Sequence, residues 1–113
     1  MTPEQLILAA FNKIGVEVHA NKVAHGWKVT TQEDWAKSQH EVPAALMLIT
    51  TEVAEAMEAF RKNDFANFQE ELADIIIRTA GLANGLGIDL GWAVLAKMEK
   101  NRTREYKHGG KRL

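Results

Sequence analysis

Apolar residues return every three or four positions along most of this chain, and turn-forming residues separate the periodic stretches. Leu6, Ala10, Ile14 and Val18 form one helical stripe, preceded by Thr2 and Pro3, an N-cap residue and a proline suited to a first turn. This pattern predicts a helix to about His25, where "HGW" ends it. From Lys28 to about Glu41 the residues are polar without sustained periodicity, which predicts a loop with room for a short helical turn near "QEDWAKS". A second helix is expected from Pro43, with Val42, Leu46, Ile49, Val53, Ala56 and Phe60 on one face. It stops at "RKND", and Asp64 caps a third helix whose apolar face is Phe65, Phe68, Leu72, Ile75, Ile76, Thr79 and Ala83. Ile77 points elsewhere. Three successive isoleucines require burial on more than one side, which a lone small bundle hardly provides. Gly85 and Gly87 break the chain again, and Asp89 caps a fourth helix through "LGWAVLAKMEKNRTREY". The tail "KHGGKRL" is basic. The pattern as a whole is all-α, a four-helix bundle.

Composition narrows what such a bundle can do. At 113 residues the chain fits one domain, residues 1–113, and its 46% hydrophobic and 26% charged residues are the balance of an ordinary globular protein. The formal net charge of −1 offers no global field for nucleic acid. Without cysteine there are no disulfides, zinc–thiolate sites or thiol nucleophiles, so any metal must be held by oxygen or imidazole. "MTPEQLILAAFNK" lacks the positive start and longer apolar run of a signal peptide, and no apolar stretch spans a bilayer. A cytoplasmic protein with no membrane partner is the expectation.

The chemistry gathers around the second and third helices. Glu52 and Glu55 are three apart, as are Glu71 and Asp74, so each pair shares a helix face. Each pair is centred about 9 or 10 residues from the turn at Asn63 and Asp64, or roughly 13–15 Å along the helix. Antiparallel packing therefore brings all four carboxylates to nearly one height. Converging carboxylates repel one another, and a divalent cation removes that cost. An all-oxygen set suits Mg²⁺ or Mn²⁺. The bland alternative is a charged, solubilising flank in which Asp74 and Arg78 make an ordinary i,i+4 ion pair. A diiron carboxylate bundle needs Glu-x-x-His motifs, and neither "EVAE" nor "ELAD" carries the histidine.

On the fourth helix Lys97, Asn101 and Arg104 recur at i, i+4 and i+7, a basic stripe suited to phosphate oxygens. Basic residues near a helix C-terminus also simply complement the macrodipole. There is no Gly-rich Lys-Ser/Thr phosphate loop.

These residues together resemble the MazG-like all-α nucleoside triphosphate pyrophosphohydrolases, from about Leu46 to Tyr106. Glu-x-x-Glu, a gap, then Glu-x-x-Asp is that family's metal motif, and "GIDL" and K-x3-N-x2-R follow it here. Many members carry a further Glu where this chain has Thr51. The resemblance implies hydrolysis of a nucleoside or deoxynucleoside triphosphate to the monophosphate and pyrophosphate by a metal-activated water. It implies Mg²⁺, with Mn²⁺ as a substitute, held by Glu52, Glu55, Glu71 and Asp74, and nucleotide contacts from Lys97, Asn101 and Arg104. One of the carboxylates would act as base, without a basis for choosing among them. Homodimers, or tetramers built from dimers, would complete the sites between chains. Trp27 and Trp35, in or near the long loop, stack on a base or pack on the bundle; Trp92 is read as packing. His19, His25 and His40 have no ligand spacing. The competing reading is a non-catalytic helical nucleotide-binding or dimerisation module.

Overall fold

The computed structural model describes residues 1–104, and over them the chain is helical with no strand. Helix α1 spans Pro3–Ala24, α2 Gln32–Lys37, α3 Glu41–Arg61, α4 Phe65–Gly85 and α5 Leu90–Thr103. The four long helices are those the periodicity predicts. The short turn near "QEDWAKS" is a real fifth helix. The basic tail expected after Tyr106 lies outside the described residues, as do Glu105 and Tyr106 at the end of the expected fourth helix.

Local chemistry fixes the helix starts. At α1 the Gln5 N–H donates to Thr2 Oγ1 at 3.1 Å and the Thr2 N–H donates back to Gln5 Oε1 at 2.8 Å, a reciprocal capping box. Thr31 and Asp34 repeat it at α2, which is how six residues hold a helix at all. Helix α3 begins two residues before Pro43, because the Ser38 hydroxyl accepts from the His40 and Glu41 N–H groups, each at 3.2 Å. Pro43 then falls in the first turn, where its missing N–H costs nothing. Between α3 and α4, Asn63 takes φ 54, a left-handed conformation that asparagine tolerates better than most residues. Asp64 accepts from the Asn67 N–H at 3.1 Å to start α4. Gly87, at φ +74, turns the chain towards α5. There Asp89 Oδ1 caps the Trp92 N–H at 3.0 Å and receives the Asn12 amide at 3.3 Å, which ties the start of α5 to α1.

Helices α3 and α4 form an antiparallel hairpin. Helix α1 packs along α4, and α5 lies mainly on α1. The interior is built from small side chains: Ala56, Ala59, Ala80, Ala83 and Leu86 are buried, and no large side chain is fully enclosed. Backbones accordingly come close. A Cβ on Gly91 would stand 2.8 Å from Leu8 Cα, so α5 meets α1 at a point only glycine permits.

The large apolar residues have a different fate from the one their periodicity suggests. Leu46, Val53, Met57 and Phe60 on α3, and Phe65, Leu72 and Ile76 on α4, are exposed, Phe60 at 72% and Phe65 at 70%. Trp92, expected to pack, is 64% exposed. Ile77 is exposed too. The stripes are real helix faces, but within one chain their cover is incomplete. Among the described residues no helix is long and apolar enough to cross a membrane.

Candidate metal centre and the adjoining cavity

Three of the four expected carboxylates converge where the hairpin helices face each other. Glu52 and Glu55 come from α3 and Glu71 from α4, and one oxygen of each lies within 4.8 Å of the others. The level predicted by counting from the turn is therefore correct for these three. Glu52 and Glu71 are buried, at 6% and 9% exposure, while Glu55 is open to solvent. Asp74 lies outside this group; it is half-buried and lines the neighbouring cavity with Glu52.

The two buried carboxyls are polarised in opposite directions. Arg78 Nε donates to Glu52 Oε1 at 2.8 Å. That bond, together with hydrogen bonding from Glu71, holds Glu52 below the ordinary glutamate range against the opposing cost of burial. Glu71 is pushed up to about 7, first by its hydrogen bond to Glu52, then by burial and by Glu55. The i,i+4 pair of Asp74 with Arg78 is thus replaced by a cross-helix pair. Arg78 reaches over to α3 and leaves Asp74 aside.

Glu52 Oε2 and Glu71 Oε2 are both buried, and no neighbouring N–H or hydroxyl satisfies either. What remains for them is a proton shared between the two carboxyls, or a cation. Orphaned buried oxygens beside a third, accessible carboxylate fit a hard divalent ion with oxygen ligands. No nitrogen or sulfur ligand joins the group among the described residues.

The cluster has space on two sides. A hollow of about 270 Å³ opens beside Glu55, Glu58, Lys62 and Glu71. A larger cavity of about 490 Å³ lies between α1, α3 and α4, walled by Lys22, Trp27, Glu52, Asp74 and Arg78 among others. Trp27 is 58% exposed, and the His25 ring stacks against it with centroids 4.6 Å apart. Trp35 lines a separate hollow with Gln32, Leu86 and Ile88. Of the other histidines, His19 Nδ1 is buried without a partner and His40 stands at the N-cap of α3.

Lys97, Asn101 and Arg104 are exposed on and after α5, and they wall neither cavity at the cluster. Arg104 has left the helix, with φ −73 and ψ 145, so the expected i, i+4, i+7 face ends at Asn101. Two groups that sequence reading missed stand nearer the carboxylates. Arg78 shows in the sequence only as a local partner for Asp74, and Lys22 sits on a helix far away in the chain. Only the fold reveals their proximity.

No curated protein and no solved structure matches this chain. A family model does: the MazG nucleotide pyrophosphohydrolase domain matches residues 41–108, which take in the whole α3–α4 hairpin, the carboxylate cluster and α5. The chain belongs to the MazG nucleotide pyrophosphohydrolase family.

Proposed function

We propose that this protein hydrolyses a nucleoside or deoxynucleoside triphosphate to the monophosphate and pyrophosphate with Mg²⁺, or Mn²⁺ in its place. The observation that carries the reading is the pair of buried oxygens of Glu52 and Glu71 that no neighbouring N–H or hydroxyl satisfies, beside Glu55. Glu52, Glu55 and Glu71 would hold the ion, with Asp74, three residues beyond Glu71 and in the cavity shared with Glu52, as the fourth carboxylate. When bound, the ion supplies charge neutralisation at phosphate oxygens and a lowered pKa for water. The protein's part is to hold the carboxylates at one level. Arg78 keeps Glu52 ionised and oriented through Oε1, and a carboxylate oxygen not engaged by the ion accepts the proton of the attacking water.

Lys97, Asn101 and Arg104 are assigned to the phosphates of a nucleotide held by a second copy of the chain. That they wall neither cavity of their own chain supports this, as do the exposed apolar residues of the hairpin. Leu46, Val53, Met57 and Phe60 on α3 and Phe65, Leu72 and Ile76 on α4 are large apolar residues left exposed on the hairpin, which suits a homodimer or a dimer of dimers.

A pyrophosphate-release assay over canonical and modified NTPs and dNTPs, with and without Mg²⁺ or Mn²⁺, tests the reaction. The expected result is divalent-dependent release of pyrophosphate with the matching monophosphate. Folded protein that binds the cation but releases nothing across the panel would instead be a nucleotide-binding or dimerisation module.

A further inference from the structure

The large cavity beside the carboxylates carries a charge arrangement that the metal centre alone does not explain. Lys22 projects from the last turns of α1 and is half-buried, yet it makes no ion pair or hydrogen bond among the described residues. Lys28, the other lysine on this wall, is different: its ammonium pairs with Asp34 at 3.1 Å. Burial, and then the positive charge of Arg78, hold the Lys22 ammonium below the ordinary lysine range. Arg78 itself spends its Nε on Glu52, and its terminal N–H groups make no hydrogen bond among the described residues. The cavity's carboxylates are Glu52, already bonded to Arg78 Nε, and Asp74, which pairs with neither cation among the described residues, so Lys22 and the terminal N–H groups of Arg78 are left to meet an entering anion.

Gly81, one turn beyond Arg78 on α4, is buried, and a Cβ there would stand 2.7 Å from Val18 Cγ1. The bare glycine lets α1 approach α4 at Val18, and Lys22, four residues further along α1, has its Nζ in ordinary contact range of the same point at 3.6 Å. Arg78 and Gly81 lie on one face of α4 at i, i+3. The cavity that Lys22 and Arg78 border, about 490 Å³, also reaches Glu52 and Asp74.

We propose that Lys22 and Arg78 form a polyphosphate subsite, in which they take phosphate-chain oxygens of the nucleotide while its hydrolysed phosphate faces the carboxylates. This rests on the pyrophosphohydrolase reading and adds to it the residues of α1 and α4 that grip the chain. Lys22 supplies a point charge and Arg78 its terminal N–H groups, so one arginine bridges substrate and metal ligand. Trp27 walls the same cavity, with one ring face covered by His25.

Inorganic tripolyphosphate in Mg²⁺ buffer is the probe, since it carries the phosphate chain without base or sugar and its binding reads out by calorimetry without turnover. Wild type is expected to bind it, Lys22→Gln to bind about tenfold more weakly or worse, and Lys22→Arg to retain most of the affinity. Mg²⁺ affinity and thermal stability of Lys22→Gln are expected not to fall. Equal tripolyphosphate affinity in wild type and Lys22→Gln, or no binding to wild type, overturns the subsite. If Lys22→Gln matches wild type while nucleotides are still cleaved, the hydrolase reading stands and the subsite falls. If tripolyphosphate binds through Lys22 but no nucleotide is cleaved, the subsite stands as an anion site and the hydrolase reading falls.

Discussion

At Glu71 a proton and the proposed divalent cation would compete for the same buried oxygens, and the competition has a sign that can be measured. In the folded, metal-free chain Glu71 holds its proton up to about pH 7, whereas its unperturbed value is 4.5. Between those values the folded state binds more protons than the unfolded state, so stability falls as pH rises. The stabilisation from protonated Glu71 is therefore full below about pH 4.5 and lost through about pH 7. Glu52 acts in the other direction: its depressed value stabilises the fold above the ordinary glutamate range and is lost in acid. Thermal melts in EDTA are expected to show Tm declining from mildly acid pH to neutrality, and Glu71→Gln is expected to flatten that decline. Saturating Mg²⁺ is expected to abolish it as well, since the cation replaces the proton. A wild-type Tm that rises steadily over the same interval in EDTA would contradict the placement of Glu71 against Glu52.

The helices show which signals reach the sequence and which do not. The α3–α4 hairpin was legible because its information is local: a strict apolar period, an Asn-Asp turn and a cap at Asp64 fix two helices and their register. That register brought Glu52, Glu55 and Glu71 together by counting alone. Asp74 was not separable from them by counting, because whether its carboxyl joins the group or turns to the cavity depends on side-chain direction rather than height. Helix α2 was visible only as a possible turn, since six residues carry too little periodicity and its capping box does the work. The cross-helix bond of Arg78 to Glu52 spans 26 residues and Lys22 lies on another helix, so neither leaves a local pattern. Nor does close packing: Gly91 reads as an unremarkable residue near a helix start. Its hydrogen nevertheless admits the backbone of Leu8 to where a Cβ would stand 2.8 Å from Leu8 Cα. Gly91→Ala is expected to force α5 off α1, to cost about 1–3 kcal/mol and to lower Tm by about 5 °C or more. An unchanged Tm would mean that the two helices are not in contact there.

Across the whole molecule, the balance of small buried and large exposed residues points beyond a single chain. Alanines fill the interior, while Phe60, Phe65, Val53 and Ile76 on the hairpin helices are exposed. Each such side chain gains about 1.5–3 kcal/mol on full burial. Light scattering is expected to give a mass of at least two chains. The double substitution Val53→Glu and Ile76→Glu is expected to weaken association at least tenfold; a wild-type monomer would contradict the assembly. The proposed phosphate contacts of Lys97, Asn101 and Arg104 require an assembly in which the exposed basic end of α5 meets a neighbouring chain's cavity. The proposed role of the hairpin carboxylates is to hold the divalent ion needed for nucleotide hydrolysis. The most direct measurement is pyrophosphate release by wild type and Glu55→Ala, with Mg²⁺ and with EDTA, on protein shown to be folded by circular dichroism. Glu55 is exposed and outside the core, so its loss spares the fold. The expected result is Mg²⁺-dependent release from wild type, none in EDTA, and a loss of about a thousandfold or more in Glu55→Ala. Undiminished release from Glu55→Ala, or equal release in EDTA, would contradict the metal centre.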